Sequence, residues 1–260
     1  MTWVAGSLDD PAALEALCDG AEAVVHIAGV INAPNAAGFE AGNVAGTAAM
    51  LAAAKQAGVG RFVHVSSLAA REPQLSLYGV SKARSETLVR TSGLDAVIVR
   101  PPAVYGPGDK ETLELFKMAK LGVVALPPKG RLSVIHVDDL ADLLLALVTL
   151  RAPYEIIEPD DGAAHGYSHE EFAELLGKAF NRKVLSLSMP GAVIRAGAAI
   201  DGLVRGTKAK LTADRADYFC HPDWVVAADR RPPAELWRAR IATPEGLSET
   251  ARWYEREGWL

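Results

Sequence analysis

The chain has 260 residues, half of them apolar, and a formal net charge of −5 at pH 7. A chain of this length and composition can bury a sizeable core as one or two domains. The acidic balance and the absence of a basic run argue against nucleic acid as a main partner. The longest apolar stretch begins at Leu140, contains Asp142 and is too short to span a bilayer.

Cysteine usage and the first residues bear on the cellular compartment. Cys18 and Cys220 lie far apart and outside any C-x-x-C spacing, so we expect neither a disulfide nor a metal site. The first residues do not combine a basic start with an apolar run, which is the pattern of a secretory signal. We therefore expect a cytoplasmic protein.

Signals for strands and helices alternate from the beginning of the chain. Residues 2–5 are predicted to form a short strand, and residues 9–18 a helix that Asp9 or Asp10 caps. Residues 21–30, AEAVVHIAGV, are typical of a strand buried on both faces. We thus expect a strand, a helix and a second strand in this order.

The second strand contains a histidine, and an Ala-rich helix follows it. For His26, a buried core histidine is favoured over a catalytic one. Residues 43–56 predict the helix, which Gly58 closes in the usual C-cap place.

The stretch of residues 61–82 combines a buried strand, a pair of serines and a helix. Tyr78 and Lys82 are spaced i and i+4, so the phenol and the ammonium share one helix face. A tyrosine, with an ordinary pKa of about 10, exchanges protons poorly at neutral pH unless a cation favours its phenolate. Ser66 or Ser67 can hold a substrate carbonyl or hydroxyl beside the phenol. Because Tyr-x-x-x-Lys also arises by chance, the prediction depends on the order of these elements.

The middle of the chain continues the alternation. A strand begins at Ala96, and the prolines and glycines of residues 100–109, RPPAVYGPGD, predict a turn. Residues 133–148 predict a further strand and an amphipathic helix. Asp138 and Asp139 could form a metal or acid/base pair, but a role as helix-capping and dipole-compensating groups is favoured.

The last part of the chain has a different character. Residues 154–157 and 183–190 predict strands, and Ser168 with Glu171 forms the capping-box pattern of a helix. Residues 191–206 are apolar and rich in Gly and Ala. Lining an apolar pocket and simple packing are equally favoured for them.

Strands that alternate with helices, each strand apolar on both faces, predict an open parallel α/β sheet with right-handed crossovers. Ligands of such sheets bind at the carboxyl ends of the strands. Gly29, Ser67 and Pro102 fall at these ends.

With VVHIAG, Tyr78-x-x-x-Lys82, RPPAVYGPGD and VIHVDDLAD in place, the chain resembles an extended short-chain dehydrogenase/reductase of the NAD-dependent epimerase/dehydratase type. The resemblance covers nearly the whole chain. It implies a Rossmann-like dinucleotide-binding domain over residues 1–150, a small C-terminal α/β substrate lobe over residues 151–260, and NAD or NADP as cofactor. Tyr78 would be the acid/base, Lys82 would bind the nicotinamide ribose and lower the tyrosine pKa, and Ser67 would hold the substrate.

The resemblance also implies a set of cofactor contacts. One strand end would meet the adenosine side of the dinucleotide, and the proline turn would hold the nicotinamide carboxamide. Asn43 resembles the helix asparagine that supports the site, with a plain N-cap role as the alternative. The implied cofactor-binding residues are Ala28, Gly29, Ser66, Tyr78, Lys82, Pro101, Pro102 and Val104.

The chain departs from the family pattern at its start, where the Gly-rich turn G-x-x-G-x-x-G is missing. Residues 2–10 resemble the third strand of the family, so two β-α units, ~40 to 60 residues, are expected to be absent. Each lost charge-assisted hydrogen bond to the phosphates is worth ~1.5 to 3 kcal/mol, so NAD or NADP binding is expected to be weakened or lost. Residues 21–30 would then form an open edge. We expect residues 3–5, or a second copy in a homodimer, to cover it.

Three positions bear on the substrate. The interval of 11 residues between Ser67 and Tyr78 is shorter than in the sugar-nucleotide epimerases that the chain resembles. Ala103 occupies the position where those enzymes usually carry an asparagine that contacts the substrate. Leu132 and Ser133 occupy the place where they often carry an arginine that binds the diphosphate. We therefore expect a less charged alcohol or ketone, for example a hydroxysteroid-like molecule.

The sequence is compatible with three functions. The first is an NAD(P)-dependent oxidoreductase that transfers a hydride to or from a small-molecule substrate. The second is a nucleotide-sugar epimerase or dehydratase. The third is a non-catalytic relative that acts as a binding or assembly subunit. The sequence does not choose NAD or NADP, because the residue that reads the ribose 2′ position belongs to the missing second strand.

Overall fold

The computed structural model describes residues 1–150, 155–206 and 211–260. A π-helical turn (Glu40–Ala45) joins the second and third helices, and short 3-10 turns lie at Leu68–Arg71, Pro73–Leu75 and Ala228–Arg230. The strands are β1 (Ala23–His26), β2 (Arg61–Val65), β3 (Ala96–Val99), β4 (Ala103–Tyr105), β5 (Val123–Leu126), β6 (Arg131–Leu132), β7 (Val134–His136), β8 (Ile156–Ile157), β9 (Tyr167–Ser168), β10 (Leu185–Ser188) and β11 (Asp223–Trp224). The helices are α1 (Pro11–Cys18), α2 (Ala36–Phe39), α3 (Gly46–Gln56), α4 (Leu77–Arg90), α5 (Leu113–Leu121), α6 (Val137–Thr149), α7 (His169–Ala179), α8 (Gly191–Arg205), α9 (Ala213–Cys220) and α10 (Thr243–Arg256).

The chain divides into two compact units, each built from two separate stretches. The first unit consists of Met1–Arg100 and Leu144–Ile157, and the second of Pro101–Leu143 and Glu158–Leu260. This division differs from the single boundary expected after residue 150. The chain leaves the first unit at the end of β3 and returns to it within α6.

The first unit contains a parallel sheet in the order β1-β2-β3-β8, which confirms the predicted class of fold. Its central strand β2 is buried at every residue, as expected for a strand covered on both faces. Strand β8 pairs with β3 through Ile98 and Ile156. The strand predicted at residues 154–157 therefore belongs to this sheet and not to the C-terminal lobe, although Tyr154 lies outside the described residues.

The start of the chain differs from the prediction. Residues 1–7 have no regular secondary structure, so the strand expected at residues 2–5 is wrong, and Trp3 is exposed. Strand β1 pairs with β2 on one side, and no described strand pairs with its other side. The expectation that residues 3–5 cover this edge is therefore also wrong. The next helix is as predicted, because Asp10 caps α1 by accepting from the backbone N–H of Ala13 at 3.1 Å.

The Ala-rich helix begins earlier than its composition indicates. It starts at Ala36, where Asn35 caps it, and passes through the π-helical turn into α3. Asn43 thus lies inside a helical segment and not at its N-cap. The C-terminal end is as predicted, because Gly58 takes up a positive φ of 70° after the last turn.

The second unit is held by an aromatic and aliphatic core. Phe116 and Tyr254 pack edge to face in it, with ring centroids 5.1 Å apart, beside Phe172 and Leu247. Short sheets flank this core in the orders β10-β5, β11-β6-β9 and β4-β7. The stretch 100–109 forms a turn and no helix, as predicted, and it also contains the short strand β4. Pro101 and Pro102 precede the three residues that pair with β7, and Pro107 follows them.

Three capping predictions have different outcomes in the second unit. Ser168 and Glu171 form the predicted capping box at the start of α7. Asp139 does not serve as a cap of its own helix, because it is buried and accepts from the backbone N–H groups of Arg240 and Ile241, both at 3.0 Å. Both carboxylates lie in the first turn of α6, as expected of groups that compensate the helix dipole, and Asp138 is exposed.

Candidate active site

Strand β2 delivers the serine pair to the carboxyl end of the sheet. The N–H of Ser66 continues the ladder by donating to the carbonyl of Val99 at 2.7 Å. Its hydroxyl is buried and donates to Glu86 at 2.5 Å. Ser67 is half-buried and accepts from the N–H of Ala69 at 3.2 Å. A hydroxyl that accepts one bond can still donate its hydrogen, which is the role predicted for Ser67.

Helix α4 carries the predicted tyrosine and lysine. It begins at Leu77, because Ser76 accepts from the N–H of Gly79 at 3.0 Å and so caps the helix. Tyr78 therefore lies in the first turn and Lys82 one turn later, on the same face. Tyr78 is half-buried, and its ring lies 6.2 Å from that of Phe39.

The Lys82 ammonium is buried and donates to the carbonyl of Val65 at 2.8 Å. This bond joins α4 to the last residue of β2, immediately before the serine pair. Burial lowers the pKa of Lys82 to about 8, and the carboxylate of Glu86 opposes this shift. At pH 7 the side chain thus remains largely protonated, and the end of β2 carries a positive charge.

A buried ion pair next to the lysine was not predicted from the sequence. The guanidinium of Arg100 donates two hydrogen bonds, of 2.8 and 2.7 Å, to the carboxylate of Glu86, and the hydroxyl of Ser66 donates to the same carboxylate. The sequence places Glu86 on the same helix face, because Tyr78, Lys82 and Glu86 recur at i, i+4 and i+8, but it does not identify Arg100 as the partner of Glu86. Arg100 directly follows the apolar strand β3.

Asn43 connects the loop after β1 to helix α4. Its amide accepts from the N–H of Val30 at 2.7 Å and donates to the carbonyl of Val30 at 2.9 Å. The same amide donates to Ser81 at 2.8 Å, one residue before the lysine. A Cβ atom at Gly29 would lie 2.7 Å from the Asn43 oxygen, so the close approach requires glycine. These contacts favour the supporting role and contradict the N-cap alternative.

His26 lies in the core, as the sequence predicts. It is buried, and its Nε2 atom lies 3.1 Å from the hydroxyl of Thr47. Its ring stacks on that of His64, with centroids 5.5 Å apart. Burial, assisted by the charge of Lys82, lowers the pKa of His26 to about 4 and that of His64 well below its usual value. Both rings are therefore neutral at pH 7.

The remaining predicted cofactor contacts fall at two places. Ala28 and Gly29 are exposed just beyond the carboxyl end of β1, where a dinucleotide binds in parallel sheets. Pro101, Pro102 and Val104 belong to the second unit, in and before β4. Their contact with the nicotinamide stays a prediction, as do the individual roles of the other site residues.

Comparisons with known proteins agree with this arrangement. Residues 1–150 match a family model described as NAD(P)H-binding. The chain is 38% identical over 266 residues to a ceramide reductase of Caulobacter vibrioides, covering 99% of this chain and 81% of that protein. It is 27% identical over 173 residues to a UDP-glucose 4-epimerase of Vibrio cholerae, covering 57% of this chain and 52% of that protein.

Solved structures share the fold. That of gox2253 has a TM-score of 0.77 at 19% identity, covering 98% of this chain and 84% of that one. MoeE5 in complex with UDP-glucose and NAD has a TM-score of 0.70 at 20% identity, covering 97% and 85%. None of the helices in the described part of the chain is long and apolar enough to cross a membrane.

The fold and the family match define a dinucleotide-binding α/β protein. The chain belongs to the NAD(P)H-binding family and, within it, to the extended short-chain dehydrogenases/reductases of the NAD-dependent epimerase/dehydratase type. NAD or NADP is therefore its cofactor. The site fits such a group, because Ala28 and Gly29 are exposed beyond β1 and a buried cation lies at the end of β2.

The lowered pKa of Lys82 predicts a pH-dependent stability. Below about pH 8 the folded protein bears the cost of a buried ammonium, and this cost disappears as the pH rises towards the ordinary lysine value of 10.5. Relative to Lys82→Met, the wild-type protein should therefore gain about 2 to 3 kcal/mol in free energy of unfolding between about pH 7 and about pH 10. Urea unfolding at several pH values measures this difference.

The exposed Lys55 provides the matched control. Lys55→Met should follow the wild-type protein with a constant offset over the same pH range. A constant offset for Lys82→Met would show that burial does not lower the lysine pKa.

Proposed function

We propose that this chain is an NAD(P)-dependent reductase that converts a ketone of a ceramide-type lipid into an alcohol. The buried Lys82 ammonium, held at the end of β2 one helical turn from Tyr78, is the observation that carries the reaction type. The substrate class rests on the ceramide reductase, which matches 99% of this chain, whereas the nucleotide-sugar relatives match little more than half of it. We place the reaction in the cytoplasm, because the two cysteines are free thiols.

The proposed chemistry assigns one role to each side chain. When NADH or NADPH is bound, its nicotinamide would supply the hydride for the carbonyl carbon. Tyr78 donates its phenolic proton to the carbonyl oxygen, and Ser67 donates a hydrogen bond to the same oxygen. The positive charge of Lys82 favours the phenolate that remains after this transfer. The bond to Val65 fixes the ammonium, so this charge does not have to be reorganised during the reaction.

The second unit supports a substrate without a diphosphate. Arg131, the basic residue nearest to the position where nucleotide-sugar enzymes often carry an arginine, donates to the carbonyls of His165 and Gly166 at 2.8 and 3.0 Å. It also forms an ion pair with Glu171. Ser133, at the expected position itself, is buried and donates to Asp160 at 2.9 Å. Arg131 and Ser133 thus already bond to groups of the protein itself. Because they are not left to bind a diphosphate, an uncharged reacting group in the ligand is favoured.

Replacing the proposed acid tests the reaction. Tyr78→Phe removes the proton donor and should lower kcat with a water-soluble, short-chain ketone analogue of ceramide by about 100-fold or more. Thermal unfolding should change little, because the ring and its packing on Phe39 are retained. The assay follows NADH and NADPH oxidation separately, and Tyr218→Phe is the control tyrosine. An unchanged rate for Tyr78→Phe would refute its role.

The same assay separates the other two functions. An epimerase or dehydratase would turn over a uridine or thymidine diphosphate sugar without net oxidation of the cofactor, and the ketone would not react. A non-catalytic relative would give no turnover with either substrate and no thermal stabilisation at millimolar NADH or NADPH. Both results would overturn the proposed reductase.

We further propose that a second copy of the chain covers the open edge of β1. Natural sheets rarely leave an apolar edge unpaired, and Ile27 and Ile31, which follow this strand, are exposed. Light scattering should show a homodimer. Ile27→Lys should shift it to monomers, because a lysine at a strand edge opposes pairing. Leu121→Lys, an exposed leucine of α5 in the second unit, should leave the dimer intact, and a monomeric wild-type protein would contradict the proposal.

A further inference from the structure

Helix α8 exposes most of its large apolar side chains. It packs on α9 through Ile194 and Ala198, which cluster with Ala216. Burying large apolar side chains is favourable, so an exposed group of them indicates a binding surface. The exposed fractions are 53% for Val193, 61% for Ile200, 87% for Leu203 and 77% for Val204.

The exposed side chains share one face of the helix. Val193, Ile200 and Val204 are spaced i, i+7 and i+11, which returns to the same side of an α-helix. Ile194 and Ala198, which pack on α9, lie on the opposite side. The helix is therefore apolar both towards α9 and away from it. Packing within the second unit accounts for one of these faces, and the outward face is left to a ligand or partner.

The strand before α8 adds further exposed apolar side chains. Leu185 and Leu187 alternate along β10, so they lie on the same side of the sheet, and both are exposed. Met189 continues this alternation into the connection to α8 and is also exposed. An apolar surface thus precedes the helix in the chain.

The segment around α8 is basic, whereas the chain is acidic. Residues 181–210 contain six basic residues and a single acidic one, Asp201, which gives a charge of +5. Because the whole chain carries −5, the other residues together carry −10. Arg195 forms an ion pair with Asp217 of α9, and Arg205 forms one with Asp201. The basic residues of the segment are Arg182, Lys183, Arg195, Arg205, Lys208 and Lys210. An exposed apolar helix face with basic residues close to it in the sequence is the pattern of a helix that lies in the interface of an anionic membrane.

We propose that α8 is an interfacial helix through which the protein binds the surface of a bilayer with anionic headgroups. The inference rests on the proposed function, because a ceramide-type substrate resides in a bilayer. The charge also disfavours a second copy as the occupant. A symmetric contact would place two segments of +5 against each other, and like charges across an interface are repulsive.

Vesicle flotation tests the proposal with the full chain. The wild-type protein should float with phosphatidylcholine–phosphatidylglycerol vesicles and much less with phosphatidylcholine vesicles, and added salt should reduce the binding. The double variant Leu203→Glu with Val204→Glu should lower the bound fraction about tenfold or more, because it places two carboxylates on the outward face. Leu145→Glu is the matched control, since this leucine of α6 is 67% exposed and lies outside the segment.

Three results would overturn the proposal. The wild-type protein could fail to float with anionic vesicles, or the double variant could float equally well. Alternatively, the wild-type protein could be a dimer that no vesicle captures, and light scattering could show that the double variant is a monomer. This result would identify a second copy as the occupant of the outward face of α8. Circular dichroism and thermal unfolding check that each variant is folded.

The reductase activity is measured independently of the membrane. With the water-soluble ketone and no vesicles, the double variant should retain the wild-type rate, because its substitutions lie outside the proposed catalytic residues. Loss of flotation with a retained rate supports the interfacial helix. Flotation of a wild-type protein that reduces no ketone would contradict the proposed function and leave the membrane contact supported.

Discussion

The hydrogen bond from the Lys82 ammonium to the Val65 carbonyl is the interaction on which the site depends. It buries a cation at the end of β2, and such a charge is tolerated only when partners compensate it. Glu86 provides the compensation, and it is shared with Arg100 at the end of β3. Two cations and one carboxylate thus join β2, β3 and α4. The ends of the strands become a rigid frame, which a proton-transfer site requires.

The core beneath this frame is arranged so that it adds no further charge. The stacked rings of His26 and His64 are buried, and the pKa values of both are lowered by burial and by Lys82. Because the unfolded chain binds protons more readily at these positions, the two histidines destabilise the fold as the pH falls below the ordinary histidine value of about 6.5. At neutral pH they are neutral, and Lys82 remains the dominant charge near the end of β2.

Local patterns predicted the elements whose causes are local. Strand β2, helix α4 and the capping box at Ser168 follow from the hydrophobic pattern and from side chains within a few residues. The pairing of β8 with β3 and the bonds from Asp139 to residues 240 and 241 connect distant parts of the chain, and no local pattern specifies them. Within the site, the Tyr78 and Lys82 spacing was readable. The ion pair of Glu86 with Arg100 could not be predicted from the sequence, because it depends on the arrangement of β3 beside α4.

The charge distribution also determines how the protein would meet a membrane. Residues 181–210 carry +5 and the remainder carries −10, so an anionic surface attracts one segment and repels the rest. At physiological ionic strength charges interact over only about 8 Å, so basic residues close to α8 in the sequence would contribute to the proposed binding while distant carboxylates would be screened. Electrostatic attraction would therefore orient the protein before its apolar side chains enter the interface. The exposed face of α8 then supplies the binding energy that screening by salt cannot remove.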